Sequence, residues 1–450
     1  MFSVKQKYRG FLLAVIPFLA FVMIIWITAK FKMGVAPDSI NYMSMSKHIA
    51  AGKGVSTYNP SAGHSSIHMS SYAPLYAFIL AFFNLLTVEL DFSTWILNSL
   101  LFGINLYLVG YLIYHFTQRL IYGIFAELIL FFDTEWRSFH CWILAEPLFF
   151  CLGTLTVICI WKYLMTKKIK WLIWTALTTG LLSLTRYIGF SYIIAGVFCL
   201  LWGLRDRWEV KIKYSFLLGI LSSVPLALWV IRNVLVSHQI FGVFSDTSFH
   251  PQLDFYDLVV NNIQTVIRDT LSYPIHSWIL PIQSQPYVIV VILCLLSISF
   301  LTISRYKEFL NSEKKDDFRL LNLLWSYTVS YLVCLIVCLI GCQSKSNPEP
   351  TRYLAPAYTH LWSLFVLYIY IIETRKSVWR RFQKTFRFVH WVGCLLLFIG
   401  AGHLVILTYD WVWDTTHYGV DGSSGGRWRS THSIQWFPQT TSDQYKKYQR

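Results

Sequence analysis

Long apolar runs recur from end to end of this 450-residue chain, and nothing else in it constrains the fold as strongly. They are roughly 15 to 23 residues long, close to the ~20 that a helix needs to cross a bilayer. A backbone in lipid must satisfy its own polar groups, so helices joined by short connections are the expected solution. Only 14% of residues are charged and 55% are hydrophobic, against about 25% charged in an ordinary soluble domain. The expected fold class is all-α, a polytopic membrane protein. The first run, Phe11 to Ala29, is too long for a cleaved signal peptide and lacks a small-x-small cleavage site.

The net charge of +15 is spread in short clusters between the runs, which argues against a nucleic-acid surface. Lys5, Lys7 and Arg9 precede the first run. Others lie at Lys162 to Lys170, Arg205 to Lys213, Arg305 to Arg319 and Arg375 to Arg387. By the positive-inside rule each is cytoplasmic. Spans are then expected at Phe11–Ala29, 93–114, 120–132, 141–161, 171–184, 187–203, 214–235, 286–304, 320–341, 355–372 and 388–409. That makes about 11 transmembrane helices, N-terminus in and C-terminus out. The run 72–86 is short and contains Pro74, so it is read as a re-entrant or interfacial helix. Residues 1–409 form one transmembrane domain with long outer loops at 32–92 and 236–286. Residues 410–450 form an extracytoplasmic tail, partly flexible around Gly422 to Gly426. The nine cysteines lie mostly within apolar runs without a CxxC motif, as small buried hydrophobes do.

Ionisable residues near the outer ends of spans carry the functional signal, because they are costly there unless paired or hydrated. They are Asp38, His64, His68, Asp133, Glu146, Arg186, Arg232 and Arg352. Asp38 follows the first span closely, and its loop is far longer than an ordinary connection. Glu146 precedes Pro147 at a span's start, where the helix dipole alone would also favour an acid. Arg186 sits between two runs with almost no room for a loop; Arg232-Asn233 ends another span, and Arg352-Tyr353 opens a further one. Arginine favours bidentate partners such as phosphate, and lipid headgroups satisfy the same preference.

The order of these pieces resembles the GT-C superfamily of membrane glycosyltransferases, over about residues 8 to 375. The nearest likeness is to the Rgt-type and dolichyl-phosphate-mannose protein mannosyltransferase-like groups. Its carriers are Asp38 with Tyr42, Tyr72-Ala73-Pro74-Leu75-Tyr76, Ala145-Glu146-Pro147, Arg186, Pro225 to Asn233 with Phe241-Gly242, and Arg352 to Pro356. The mannosyltransferases carry paired Asp-Glu acids in the first loop, where this chain has Asp38-Ser39, and the tail matches nothing in the family.

The resemblance implies an inverting transfer of a hexosyl or pentosyl group from a polyprenyl-phosphate-linked donor on the extracytoplasmic face. The acceptor would be a glycan, lipid or protein. Asp38 would be the general base and Glu146 its assistant or an acceptor ligand. Arg352, Arg186 and Arg232 would meet the donor phosphate, and Tyr42, His68, Tyr72 and Tyr353 would line the substrate. No cofactor and no metal are expected. The absence of Asn-x-Ser/Thr sites leans toward a bacterial inner membrane rather than the endoplasmic reticulum. A transporter or flippase of a lipid-linked substrate would show inverted repeats and mid-membrane charges. An O-antigen ligase or polymerase-like enzyme would share the lipid-linked substrate, and a scaffold without chemistry would not need the charged set.

Overall fold

The computed structural model describes residues 4–29, 33–58, 66–241, 316–341 and 350–374. Within them the chain is mostly helical. Six helices contain a stretch long and apolar enough to cross a membrane: Arg9–Thr28, Leu90–Thr117, Glu146–Thr166, Trp208–Ser237, Leu320–Cys338 and Arg352–Ile371. The protein is a multi-pass integral membrane protein. Large apolar side chains such as Phe18, Trp26, Trp174, Trp202, Phe216 and Leu228 point outward, as lipid-facing residues do.

Helix α1 (Val4–Thr28) packs along α4 (Leu90–Thr117), and α5 (Leu120–Phe132) closes on both. A Cβ at Gly103 would lie 2.7 Å from the Pro17 carbonyl oxygen, so only glycine permits the α1–α4 approach. Small residues set helix spacing in lipid, where apolar burial drives little association. After the short α6 (Thr134–His140), α7 (Glu146–Thr166) and α8 (Ile169–Thr185) form an antiparallel pair turned at Lys167. Helix α9 (Phe190–Gly203) leads to α10 (Trp208–Ser237), which lies along α8 with Gly180 facing the Pro225 ring. Helices α11 (Asp316–Gly341) and α12 (Pro350–Thr374) pack on each other; α11 also meets α9, and α12 meets α5.

The helix directions sort charge into two ends. Ion pairs Arg119–Glu373 (3.5 Å) and Lys167–Asp206 (2.6 Å) lie at one end, beside the basic turns. The starts of α7 and α12 and the end of α8 lie at the other. There sit α2 (Pro37–Ala50), a hairpin of β1 (Ser56–Tyr58) and β2 (Ser66–His68), and α3 (Leu75–Leu85). The hairpin pairs Ser56 with His68, Thr57 with Ile67 and Tyr58 with Ser66.

Several expectations meet a different local structure. Asp38 lies in the first turn of α2 rather than in an open loop, because Pro37 is pre-shaped for a helix start and an acid suits the dipole there. The run from 72 becomes helical only at Leu75, after Pro74. At eleven residues α3 rises about 16 Å, and thirteen-residue α5 about 20 Å, both short of a ~30 Å hydrocarbon core. The two short strands interrupt an otherwise all-α expectation. The spans placed at 286–304 and 388–409, most of the loop 236–286, His64 and the 410–450 tail lie outside the described residues.

Candidate active site

Two carboxylates are brought together by one stretch of backbone. Gly34 forms a parallel bridge with Trp142: its N–H donates to the Cys141 carbonyl (2.8 Å), and its own carbonyl accepts from Ile143 N–H (3.0 Å). Four residues after each bridge partner come Asp38 and Glu146, each in a first helical turn. The bridge is itself braced, since Asn98 donates to the Trp142 carbonyl and accepts from the Tyr76 hydroxyl (3.1 Å).

Two arginines reach the same place from other helices. Arg186 caps the C-terminal end of α8, where the dipole favours a cation, and donates to Glu146 Oε1. Arg352 enters from the first turn of α12, where the dipole opposes a cation, so its two carboxylate partners must hold it. Its Nε donates to Glu146 Oε1 and its Nη2 to Asp38 Oδ2. One edge of a single guanidinium is thereby divided between both acids. The Glu146 side chain is 1% exposed, whereas that of Asp38 is 26% exposed. Glu146 Oε2 has no hydrogen-bond partner among the described residues. Burial works to lower the Arg186 guanidinium, but the Glu146 charge prevails and keeps it above its ordinary value.

A tyrosine layer supports Asp38. The Tyr72 hydroxyl donates to Asp38 Oδ1 (2.8 Å). Burial, and then the Asp38 charge, push that hydroxyl well above the usual phenol range, so it stays a donor at neutral pH. Tyr42, one turn after Asp38, is buried and meets Tyr72 and Tyr76 edge to face at 5.4 and 5.3 Å. Burial chiefly, with Asp38 adding, also raises the Tyr42 hydroxyl. The Tyr353 ring lies 5.8 Å from the Arg186 guanidinium, a cation–π contact.

The other expected residues sit apart from this cluster. Arg232 spans to the hairpin, donating to the Val55 (2.8 Å) and Met69 (3.0 Å) carbonyls while lying over the Trp229 ring. With His68 it borders an apolar groove of about 760 Å³, lined also by Pro74, Phe78, Leu184, Val224 and Leu228. Two of its lining residues, Pro74 and Leu184, lie two positions from Tyr72 and Arg186 in the chain. Asp133 is buried and structural: it accepts from Trp136 N–H and Trp362 Nε1, both at 2.9 Å. Tyr187 is not among the expected site residues; its hydroxyl donates to the Ser70 carbonyl and accepts from Trp229 Nε1 (2.9 Å), tying α9's approach to the segment between β2 and α3 and to α10. Its place beside Arg186 in a loop-free junction was the available signal. Among the described residues no three of His, Cys, Asp and Glu converge as metal ligands would.

No family model matches the sequence, and neither does any curated protein. A solved structure resembles it in chain path. This is the crystal structure of ArnT from Cupriavidus metallidurans bound to undecaprenyl phosphate, at 11% identity. The match covers 91% of this chain and 70% of the other, with a TM-score of 0.49. The likeness concerns the path of the chain; the chemistry rests on the residues themselves.

Proposed function

We propose that this protein is an integral-membrane glycosyltransferase. It moves a sugar from a polyprenyl-phosphate donor to an acceptor hydroxyl at the extracytoplasmic face, with inversion. The observation that carries this reading is the cluster of Arg352 and Arg186 with Glu146 and a partly exposed Asp38, at the end of the helical bundle remote from the basic turns. Motif order supports it too, since Asp38, Glu146, Arg186 and Arg352, four of the residues that carry the GT-C resemblance, meet there. The basic turns at the other end, and the absence of sequons, fit a bacterial inner membrane with a cytoplasmic N-terminus.

In this mechanism Asp38 takes the proton of the acceptor hydroxyl as its oxygen bonds to the sugar's anomeric carbon. The bond from that carbon to the phosphate oxygen breaks, and its electron pair leaves with the phosphate. Arg352, with Arg186 behind it, stabilises the charge that develops there. Glu146 holds both arginines in place. The Tyr72 hydroxyl fixes the carboxylate plane of Asp38, and the apolar groove at Arg232 and His68 takes up isoprenoid chain beside the bilayer.

The test is transfer of radiolabelled sugar from a panel of polyprenyl-phosphate donors to cell-extract acceptors by protein in nanodiscs. Asp38→Asn is expected to lower transfer roughly a hundred- to ten-thousandfold, and Arg352→Ala by about a hundredfold or more. Transfer that survives Asp38→Asn would remove Asp38 as the base. A folded wild type that transfers from no donor would leave the transporter or flippase reading.

A further inference from the structure

One of the two guanidinium edges of Arg352 that can grip a phosphate in a fork is already occupied by Asp38 and Glu146. Arg352 Nε and Nη2 lie side by side, and such a pair of N–H groups matches two phosphate oxygens in a fork. Here that edge is split, Nε to Glu146 and Nη2 to Asp38. A phosphate that takes it must displace a carboxylate.

Burial decides which one leaves. Glu146 is 1% exposed and also holds Arg186 through the same oxygen, so removing it would strand two guanidinium groups. Asp38 is 26% exposed, has one arginine partner among the described residues, and keeps its second oxygen on Tyr72 if it lets go. We infer that donor phosphate and Asp38 compete for Arg352, so that donor binding itself uncovers the base. Asp38 is masked by Arg352 until a lipid phosphate takes over the guanidinium; its Oδ2 then becomes free for the acceptor proton. The consequence is order: while Oδ2 accepts from Arg352 it is not open to the acceptor hydroxyl, so acceptor hydroxyls are not activated before the donor is in place. This restricts futile proton exchange and side reactions with water. It rests on the glycosyltransferase reading above and adds how that site is regulated.

The prediction separates binding from chemistry. In phosphatidylcholine nanodiscs, undecaprenyl phosphate binding is measured by titration for wild type, Asp38→Asn and Arg352→Ala. Loss of the Asp38 charge removes the competitor, so Asp38→Asn should bind about tenfold more tightly than wild type while its sugar transfer falls by about a hundredfold or more. Arg352→Ala should bind far more weakly than either. Asp38→Ala repeats the comparison should the Asn variant fail to fold, with thermal unfolding in detergent as the check. Wild-type binding that is lost in Arg352→Ala but unchanged or weakened in Asp38→Asn overturns the competition and leaves the lipid-phosphate reading standing. Absence of binding by folded wild type and Asp38→Asn alike overturns both.

Discussion

Glu146 concentrates more of the site's electrostatics than any other residue. One of its oxygens accepts from two arginines and the other is buried without a partner among the described residues. A buried ion pair seldom adds much net stability, because desolvation offsets attraction, but breaking one leaves an uncompensated charge. Glu146→Gln removes the acid that, among the described residues, Arg186 and Arg352 share. It should cost about 3 kcal/mol or more in unfolding free energy, measured by chemical denaturation in detergent. Asp38→Asn should cost much less, since the carboxylate is a quarter exposed and solvent can reach it. The two acids thus differ in setting: Glu146 is buried between two arginines, whereas solvent reaches Asp38.

Among the elements, α6 shows how a short helix is fixed by buried polar groups. His140 is fully buried against Phe102, Trp136 and Phe150. Asn105 Nδ2 donates to the Pro147 carbonyl (2.9 Å), so it is the amide nitrogen that meets His140 Nε2 (3.0 Å), and Nε2 accepts. Nδ1–H then donates to the Trp136 carbonyl (3.0 Å), which makes the ring neutral. Burial lowers the His140 pKa to about 3. The unfolded chain therefore binds a proton below about pH 6.5 that the folded chain does not. The stability associated with neutral His140 is complete above that pH and falls as pH drops toward 3, by about 2 kcal/mol at pH 5. A melting series from pH 8 to pH 4 should show this decline in wild type and a shallower one in His140→Gln. Because His140 also connects, through Asn105, to the Pro147 carbonyl beside Glu146, acid should loosen the site along with α6.

For the molecule as a whole, the distribution of charge has a consequence for orientation. Arg119, Lys167 and Asp206 lie at the end opposite Asp38, Glu146, Arg186 and Arg352. Lysine and arginine in short loops stay on the cytoplasmic side, so the site should open outward. A cysteine placed at exposed Lys53, beside the hairpin, should react with a membrane-impermeant maleimide in intact cells. One at exposed Lys168 should react only after permeabilisation. The cysteines at 141, 151, 159, 199 and 334 are buried and give little background. The reverse labelling pattern would put the site in the cytoplasm and end the extracytoplasmic mechanism.

The amino-acid sequence by itself determined the helical membrane class, because twenty-residue apolar runs have few other solutions in water or lipid. It also marked Asp38, Glu146, Arg186 and Arg352 as residues out of place at span ends, since charge there needs a reason. What pattern could not supply was distance. These four residues are separated by up to 314 positions, and only the Gly34–Trp142 bridge, the tight turn after Arg186 and the start of α12 decide that they touch. Nor could it distinguish Arg232, which holds two hairpin carbonyls, from the arginines that hold carboxylates, because side-chain partners depend on packing. Tyr42 and Tyr72 are both expected to line the substrate, yet one is buried against rings and the other donates to Asp38. Composition acts along the chain and fixes what each segment must do with lipid; convergence acts across it, and it exists only once the helices have packed.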